Sequence, residues 1–127
     1  MSKRKKRDIP IFDHKIIETH CHLDYLKERP IEETLDQATA AGIEKLITIA
    51  VSPDNLGTVM DLVESDKRLW GTQGVHPHDA EKFTEDTETI IRQNALHKRI
   101  LAIGEIGLDY YYDNSDRAVQ RQVFETQ

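Results

Sequence analysis

Two histidines separated by one residue, His20 and His22, are the first side chains in this sequence that could do chemistry together. Alternate residues of an extended backbone point to the same side, so both imidazoles would face one way and Cys21 the other. Two neutral imidazoles this close suit Zn²⁺, Mn²⁺ or a similar cation as ligands. The pair alone leaves two interpretations open: the histidines form a metal site, or they bind no metal. Cys21 is interpreted as a small packed apolar side chain.

Glu105 is a candidate metal ligand and catalytic residue, because it stands between Gly104 and Ile106 at the end of an apolar run. The two oxygens and the charge of a carboxylate can bridge two cations, which an imidazole cannot do. The alternative is a carboxylate in a salt bridge at the rim of the fold. The pattern fits both interpretations equally well.

A third candidate, His76, precedes Pro77, and the two begin the segment HPHD. The residue before a proline is restricted to extended geometry, which would direct the His76 ring along its strand toward the same site. We predict that His76 takes part in catalysis by hydrogen-bonding the substrate or a metal-bound water. His78 and Asp79 are interpreted as residues that cap the loop.

An aromatic segment, DYYYD at 109–113, follows Glu105 closely. We predict that Tyr110 binds substrate, since a tyrosine here could stack on a base or a sugar. Loop packing explains at least two of the three tyrosines equally well.

Short β-rich runs precede these polar residues, and an amphipathic segment follows each run. The runs are 15–19, 45–51, 69–75 and 99–105. Alternation of strands and helices at this spacing predicts a parallel sheet and the fold class α/β. Periodicity does not separate a doubly wound sheet from a (β/α)₈ barrel, but both gather chemistry at the carboxyl ends of strands. Polar residues lie at the end of each run or directly after it: His20 and His22, Ser52, His76 and His78, and Glu105.

Helix ends are predicted from capping residues. The first helix follows Pro30 and ends at Gly42, the second opens within 52–54, the third follows Thr84 and the fourth begins near Ser115 and Asp116. The buried stripes predicted for the last two helices are Ile90, Ile91 and Leu96, and Ala118, Val119 and Val123.

Charge is distributed unevenly along the 127 residues, whose net charge is −6. Five cations lie within residues 3–7, which leaves 12 Lys and Arg against all 23 Asp and Glu in residues 8–127. An acidic body argues against broad coating of DNA or a membrane, although a local basic groove or a bound cation could still hold phosphate. We predict a basic, disordered tail at 1–14; a nucleic-acid contact or a nuclear address is the alternative.

Compartment and membrane association are limited by two further observations. Cys21 is the single cysteine, which forbids an intramolecular disulfide and fits the reducing cytoplasm. No run approaches the roughly 18 to 20 apolar residues that span a bilayer, so we expect no membrane partner.

Three segments together resemble the TatD family of metal-dependent deoxyribonucleases, within the amidohydrolase-like barrels. They are IIETHCHLD at 16–24, QGVHPHDA at 73–80 and AIGEIGLDYYYD at 102–113. The resemblance implies a (β/α)₈ TIM barrel with one or two divalent cations (Mg²⁺, Mn²⁺ or Zn²⁺). It further implies hydrolysis of phosphodiester bonds of DNA, commonly from a 3′ end.

Carried over residue by residue, the resemblance implies that His20 and His22 are metal ligands and that Glu105 is the carboxylate able to bridge both metals. His76 matches the histidine of the family's GxHP loop and takes a substrate-side role. Glu18 stands where the family usually has Asp. We expect it to contact the metal ligands without binding the metal itself.

Residues 15–127 therefore resemble the amino-terminal half of such a barrel, about the first four βα units. The family's later strands carry two further histidines and an aspartate of the metal site, so we expect the isolated chain to be weak or inactive. Open sheet edges predict self-association. Two alternatives stay open: hydrolysis of another ester, such as a D-aminoacyl-tRNA, and a non-catalytic metal-binding or interaction fragment.

Overall fold

The computed structural model describes residues 5–127, within which parallel strands alternate with helices. The strands are β1 (Ile16–Cys21), β2 (Ile43–Thr48), β3 (Leu69–Gln73) and β4 (Ile100–Ile103). The α-helices are α1 (Ile31–Ala40), α2 (Leu56–Ser65), α3 (Glu85–Asn94) and α4 (Arg117–Thr126). Short 3₁₀ helices at Leu23–Tyr25 and Pro77–Lys82 follow β1 and β3.

The strand order in the described sheet is β1-β2-β3-β4, with every pair parallel. A doubly wound sheet reverses its order at a switch point, whereas a barrel adds each strand beside the one before it. The prediction of an α/β fold built as consecutive barrel units is therefore confirmed. All carboxyl strand ends consequently lie along one edge of the sheet.

Alternate residues of β3 face the helices. Leu69 packs with Leu35 of α1 and Leu46 of β2 in one buried cluster. At Gly71, an added Cβ would lie 2.8 Å from Val59 and 2.9 Å from Val63, both on α2. The absence of a side chain at Gly71 allows α2 to approach the sheet closely. Both valines belong to the second buried cluster, which is packed at this point.

Four of the predicted helix boundaries are confirmed. Pro30 directly precedes α1, and Asp116 is the N-cap of α4. The chain leaves α1 through Gly42 at φ +99°, the left-handed region that favours glycine. Thr84 caps α3, and its side chain exchanges hydrogen bonds with Thr87.

The predicted start of α2 at 52–54 is wrong. Asn55 is the N-cap, and its Oδ1 accepts hydrogen bonds from the backbone N–H groups of Val51 and Ser52. The Ser52 hydroxyl accepts from the N–H of Asp54. These short-range bonds hold 52–54 in a turn, and the helix begins after it.

Part of the predicted apolar stripes is also wrong, because Ile90, Leu96 and Ala118 are exposed. Leu96 lies beyond the end of α3, and Ile91 takes the buried position beside Ile90. On α4 the buried residues are Gln120 and Val123, so an amide replaces part of the apolar stripe.

Residues 5–14 contain neither helix nor strand, and the Phe12 N–H donates to the Ala41 carbonyl. The first four residues of the predicted tail, with Lys3 and Arg4, lie outside the described residues, so the tail remains a prediction. In the described part of the chain, no helix combines the length and apolar character needed to cross a membrane.

Candidate metal centre

The candidate site lies at the carboxyl edge of the sheet. His20 belongs to β1, His22 follows it, and His76 and Glu105 come after β3 and β4. Together with Tyr25, these side chains line an open cavity of about 350 Å³. The other lining residues are Val51, His78 and Asp79.

The backbone carries Glu105 across the end of the sheet. Its N–H donates to the carbonyl of Ala50, beyond β2, at 2.9 Å. The preceding N–H, from Gly104, donates to the Gln73 carbonyl at 3.0 Å. An added Cβ at Gly74 would lie 2.7 Å from the Gly104 backbone. Because Gly74 has no side chain, the backbone at Gly104 can pass close to it on the way from β4 toward β2. Glu105 thereby reaches toward β1.

The side chains of His20, His22 and Glu105 converge, although β2 and β3 separate their strands. Their ligand atoms all lie within 4.8 Å of one another. Glu105 Oε2 is 3.4 Å from His20 Nε2, and the two imidazole centroids are 5.2 Å apart. The carboxylate is about one third exposed and the His20 ring about half. A partly desolvated carboxylate and two imidazoles thus face one small volume.

His76 meets the other oxygen of Glu105, with its Nε2 3.6 Å from Oε1. Its Nδ1 accepts a hydrogen bond from the backbone N–H of His78 at 3.0 Å, so the neutral ring carries its proton on Nε2. Burial lowers the pKa of His76, and the charge of Glu105 opposes that shift. The ring therefore presents an N–H to the site.

Glu18 contacts the backbone of His20. Its Oε1 accepts from the His20 N–H at 2.9 Å. Glu18 thus fixes the main chain beside the site, and support of the ligand side chains remains a prediction.

Cys21 faces away from the site, as the alternation of β1 predicts. Its thiol donates to the Ile47 carbonyl at 3.4 Å. Burial raises the pKa of this thiol to about 11, with smaller contributions from Glu18 and Asp24. A thiol in this state is a poor ligand and a poor nucleophile at neutral pH.

The interpretation of His78 as a loop cap is wrong, because its ring lines the cavity and its Nε2 bonds to Asp109. The Tyr111 and Tyr112 N–H groups donate to the other carboxylate oxygen of Asp109. The Tyr112 bond, followed by the His78 bond, lowers the pKa of Asp109. Both residues lie in the motifs HPHD and DYYYD, but the sequence holds no signal that pairs them.

Tyr110 is not brought into this cluster. The Arg117 guanidinium covers its ring at 4.7 Å, and its hydroxyl accepts from Arg121 at 3.4 Å. Among the described residues, Tyr112 is the tyrosine of this segment that contacts a histidine of the cavity, with its ring edge-to-face on His78 at 5.6 Å.

Comparison with known proteins identifies the family. The profile described as "TatD related DNase" matches residues 17–127. The chain belongs to the TatD family. The predicted family and the TIM-barrel fold are thereby confirmed, with the described sheet corresponding to the amino-terminal part of a TatD barrel.

Similar TatD-family proteins are named as metal-dependent hydrolases and nucleases. The chain is 30% identical over 113 residues to the uncharacterized metal-dependent hydrolase YabD of Bacillus subtilis, covering 88% of this chain and 44% of that protein. It is 33% identical over 99 residues to the 3′-5′ ssDNA/RNA exonuclease TatD of Enterobacter lignolyticus, covering 78% of this chain and 38% of that protein. The chain thus spans less than half the length of these curated relatives.

A solved TatD homologue has the same arrangement of elements. The crystal structure of YjjV from Escherichia coli superposes with a TM-score of 0.76 at 31% identity, covering 87% of this chain and 44% of that one.

One pair of donor atoms in the site has the separation expected of two ligands of a single divalent cation. Ligand atoms about 2.1 Å from one cation lie about 3.4 Å apart at the tetrahedral angle. The distance between His20 Nε2 and Glu105 Oε2 is 3.4 Å.

The tautomer of His22 also suits a ligand. Its Nδ1 lies 3.3 Å from the Ile49 carbonyl, which can only accept, so Nδ1 carries the proton and Nε2 keeps its lone pair. The Tyr25 ring stacks on this imidazole at 5.0 Å. Both contacts fix the ring orientation.

Proposed function

We propose that His20, His22 and Glu105 hold one or two divalent cations and that the protein hydrolyses phosphodiester bonds of DNA. The observation that carries the proposal is the approach of the three ligand atoms to within 4.8 Å at one edge of the sheet. Imidazole and carboxylate ligands suit Mg²⁺, Mn²⁺ and Zn²⁺ in differing proportions, so the choice of cation is left to experiment.

A divalent cation held here would supply the positive charge that polarises a phosphoryl oxygen and stabilises the leaving alkoxide. The chain needs that charge, because its net charge is −6 and the cavity is lined by Glu105 and Asp79. Local positive charge at the cavity makes an acidic protein compatible with a nucleic-acid substrate.

The protein's own residues divide into two roles. Glu105 points one carboxylate oxygen at His20 and the other at His76, so it orients both rings toward the cavity. His76 holds its proton on Nε2, and we propose that this N–H donates to a phosphodiester oxygen. In this proposal Glu105 and His76 are the catalytic residues of the chain.

DNA as substrate and cleavage from the 3′ end are proposals for the whole protein. They are supported by the family description and by a relative named a 3′-5′ ssDNA/RNA exonuclease. Further ligands from the part of the fold that this chain does not span belong to the same proposal. We also propose a cytoplasmic location, which the single cysteine supports.

The test uses the protein that contains this chain, with single-stranded DNA labelled at either end, in Mg²⁺, Mn²⁺ or Zn²⁺. We expect shortening from the 3′ end that His20→Ala and Glu105→Gln abolish. Glu44→Gln, which changes an exposed carboxylate of β2, should leave the rate unchanged. D-aminoacyl-tRNA is assayed in parallel, and deacylation without DNA cleavage would overturn the proposed substrate. Activity that survives both variants would overturn the metal assignment.

A further inference from the structure

Two tyrosine rings stand in solvent beside the cavity. Tyr111 is 87% exposed and Tyr112 is 67% exposed. The two rings meet edge-to-face at 4.8 Å, and Tyr112 meets the cavity-lining His78 in the same way at 5.6 Å. The pair therefore lies beside the cavity, in contact with one of its lining residues.

The backbone beneath these rings is firmly held. Asp109 accepts hydrogen bonds from the N–H groups of both tyrosines, at 3.0 and 3.1 Å, and its second oxygen bonds to His78. The Asp109 N–H and carbonyl both bond to the side-chain amide of Gln120, which is buried on α4. Exposed aromatic rings on a fixed backbone form a prearranged contact surface.

Packing within the chain accounts for Tyr110 but not for its two neighbours. Tyr110 is covered by Arg117, whose Nε also donates to Asp113. For Tyr111 and Tyr112, the contacts with other aromatic rings in the described residues are with each other and with His78. Ring faces left in water are available to a ligand with a flat surface.

We propose that Tyr111 and Tyr112 form a stacking subsite for unpaired nucleobases of the strand whose phosphodiester lies in the cavity. This inference rests on the proposed function and adds the means of selecting single strands. Every base has a π-face, so stacking tolerates any sequence, whereas the base faces in a duplex are already covered. Stacking also ignores the 2′-hydroxyl, which predicts similar binding of DNA and RNA.

The test compares two fluorescein-labelled single-stranded oligothymidylates, one intact and one with abasic residues. Their affinities for the chain of residues 1–127 are measured by fluorescence anisotropy, with Ca²⁺ replacing the catalytic cation. Stacking on one aromatic ring contributes about tenfold in affinity. Tyr111→Leu and Tyr112→Leu should each weaken binding of the intact strand by about tenfold and leave the abasic strand unchanged. Tyr112→Phe keeps the ring and should retain wild-type affinity.

Phe124→Leu is the matched control, because it removes an exposed aromatic ring from α4, outside the loop. The inference is overturned if both leucine variants bind the intact strand as wild type does, or if they weaken both strands equally. It is overturned too if the wild-type chain binds neither strand.

Cleavage assays on the whole protein separate this inference from the proposed function. If wild type cleaves and Tyr112→Leu leaves KM unchanged, stacking fails while the nuclease proposal stands. If wild type cleaves nothing but the anisotropy differences hold, the nuclease proposal fails and the stacking subsite stands.

Discussion

Glu105 Oε2 lies 3.4 Å from His20 Nε2, although two strands of the sheet separate β1 from β4. The contact exists because Glu105 leaves its own strand: its N–H bonds to Ala50, beyond β2. A residue that ended in line with β4 would lie about one interstrand spacing, roughly 5 Å, farther from β1.

Glu105→Gln should lower the affinity of residues 1–127 for Mn²⁺ at least tenfold. The amide keeps the shape of the side chain but loses the charge that attracts a cation. Isothermal titration calorimetry measures the change. Glu44→Gln, on the exposed side of β2, is the control. Equal affinities for Glu105→Gln and wild type would remove Glu105 from the ligand set.

His22 and His76 should hold their protons on opposite ring nitrogens. The Ile49 carbonyl keeps a proton on Nδ1 of His22, and the His78 N–H keeps Nδ1 of His76 free of one. Long-range ¹H–¹⁵N correlation spectra distinguish the two tautomers. On addition of Zn²⁺, the Nε2 resonance of His22 should shift most. A His22 ring protonated on Nε2 in the metal-free chain would contradict the assignment.

Gly74→Ala should destabilise the fold by about 1–3 kcal/mol through overpacking. The new Cβ would lie 2.7 Å from the Gly104 backbone, which cannot yield as a flexible side chain would. Because the same contact places Glu105, Mn²⁺ affinity should fall as well. Urea denaturation and calorimetry measure the two effects.

Gly57→Ala, within α2, should change stability in the opposite direction. An added Cβ there meets no atom within 4 Å, so alanine should raise stability by about 0.5–1 kcal/mol through helix propensity. Metal affinity should not change. If Gly74→Ala matched Gly57→Ala in both measurements, the role given to the Gly74–Gly104 contact would be wrong.

Asp66 should make stability fall at acid pH. Its hydrogen bonds from the Arg68 side chain hold the pKa of this carboxyl below its ordinary value. A lowered folded-state pKa stabilises the protein above the unfolded value, and that contribution is lost as pH falls through the folded value. Asp66→Asn should therefore lower the urea midpoint at pH 7 and lower it less at an acid pH, below the ordinary pKa of an aspartate. An equal effect at both pH values would exclude the ion pair as the cause.

The chain of residues 1–127 should self-associate in solution. Within the described residues, β1 and β4 each have one unpaired edge, and they expose Ile17 (53%) and Leu101 (54%). Unpaired edges with apolar side chains favour pairing between chains. Sedimentation velocity should show a larger species at higher concentration, and Leu101→Lys should shift it toward monomer. A wild-type chain that stays monomeric throughout would contradict the prediction.

The sequence by itself determined the α/β class and the residues of the candidate centre. Both depend on local order: short β-rich runs alternate with amphipathic segments, and a polar residue follows each run. Parallel strands place their carboxyl ends at one edge, so His20, His22, His76 and Glu105 could be assigned to a common face before any contact was known.

The tertiary structure alone decided which side chains touch. His78 pairs with Asp109, Tyr112 contacts the cavity-lining His78, and Tyr110 packs under Arg117. These contacts depend on the buried amide of Gln120 on α4, which holds the backbone of the loop at Asp109. They depend also on how closely Gly74 and Gly104 let the chain after β3 and the chain after β4 approach. Such contacts join residues far apart in the chain, and neither periodicity nor motif spacing encodes their distances.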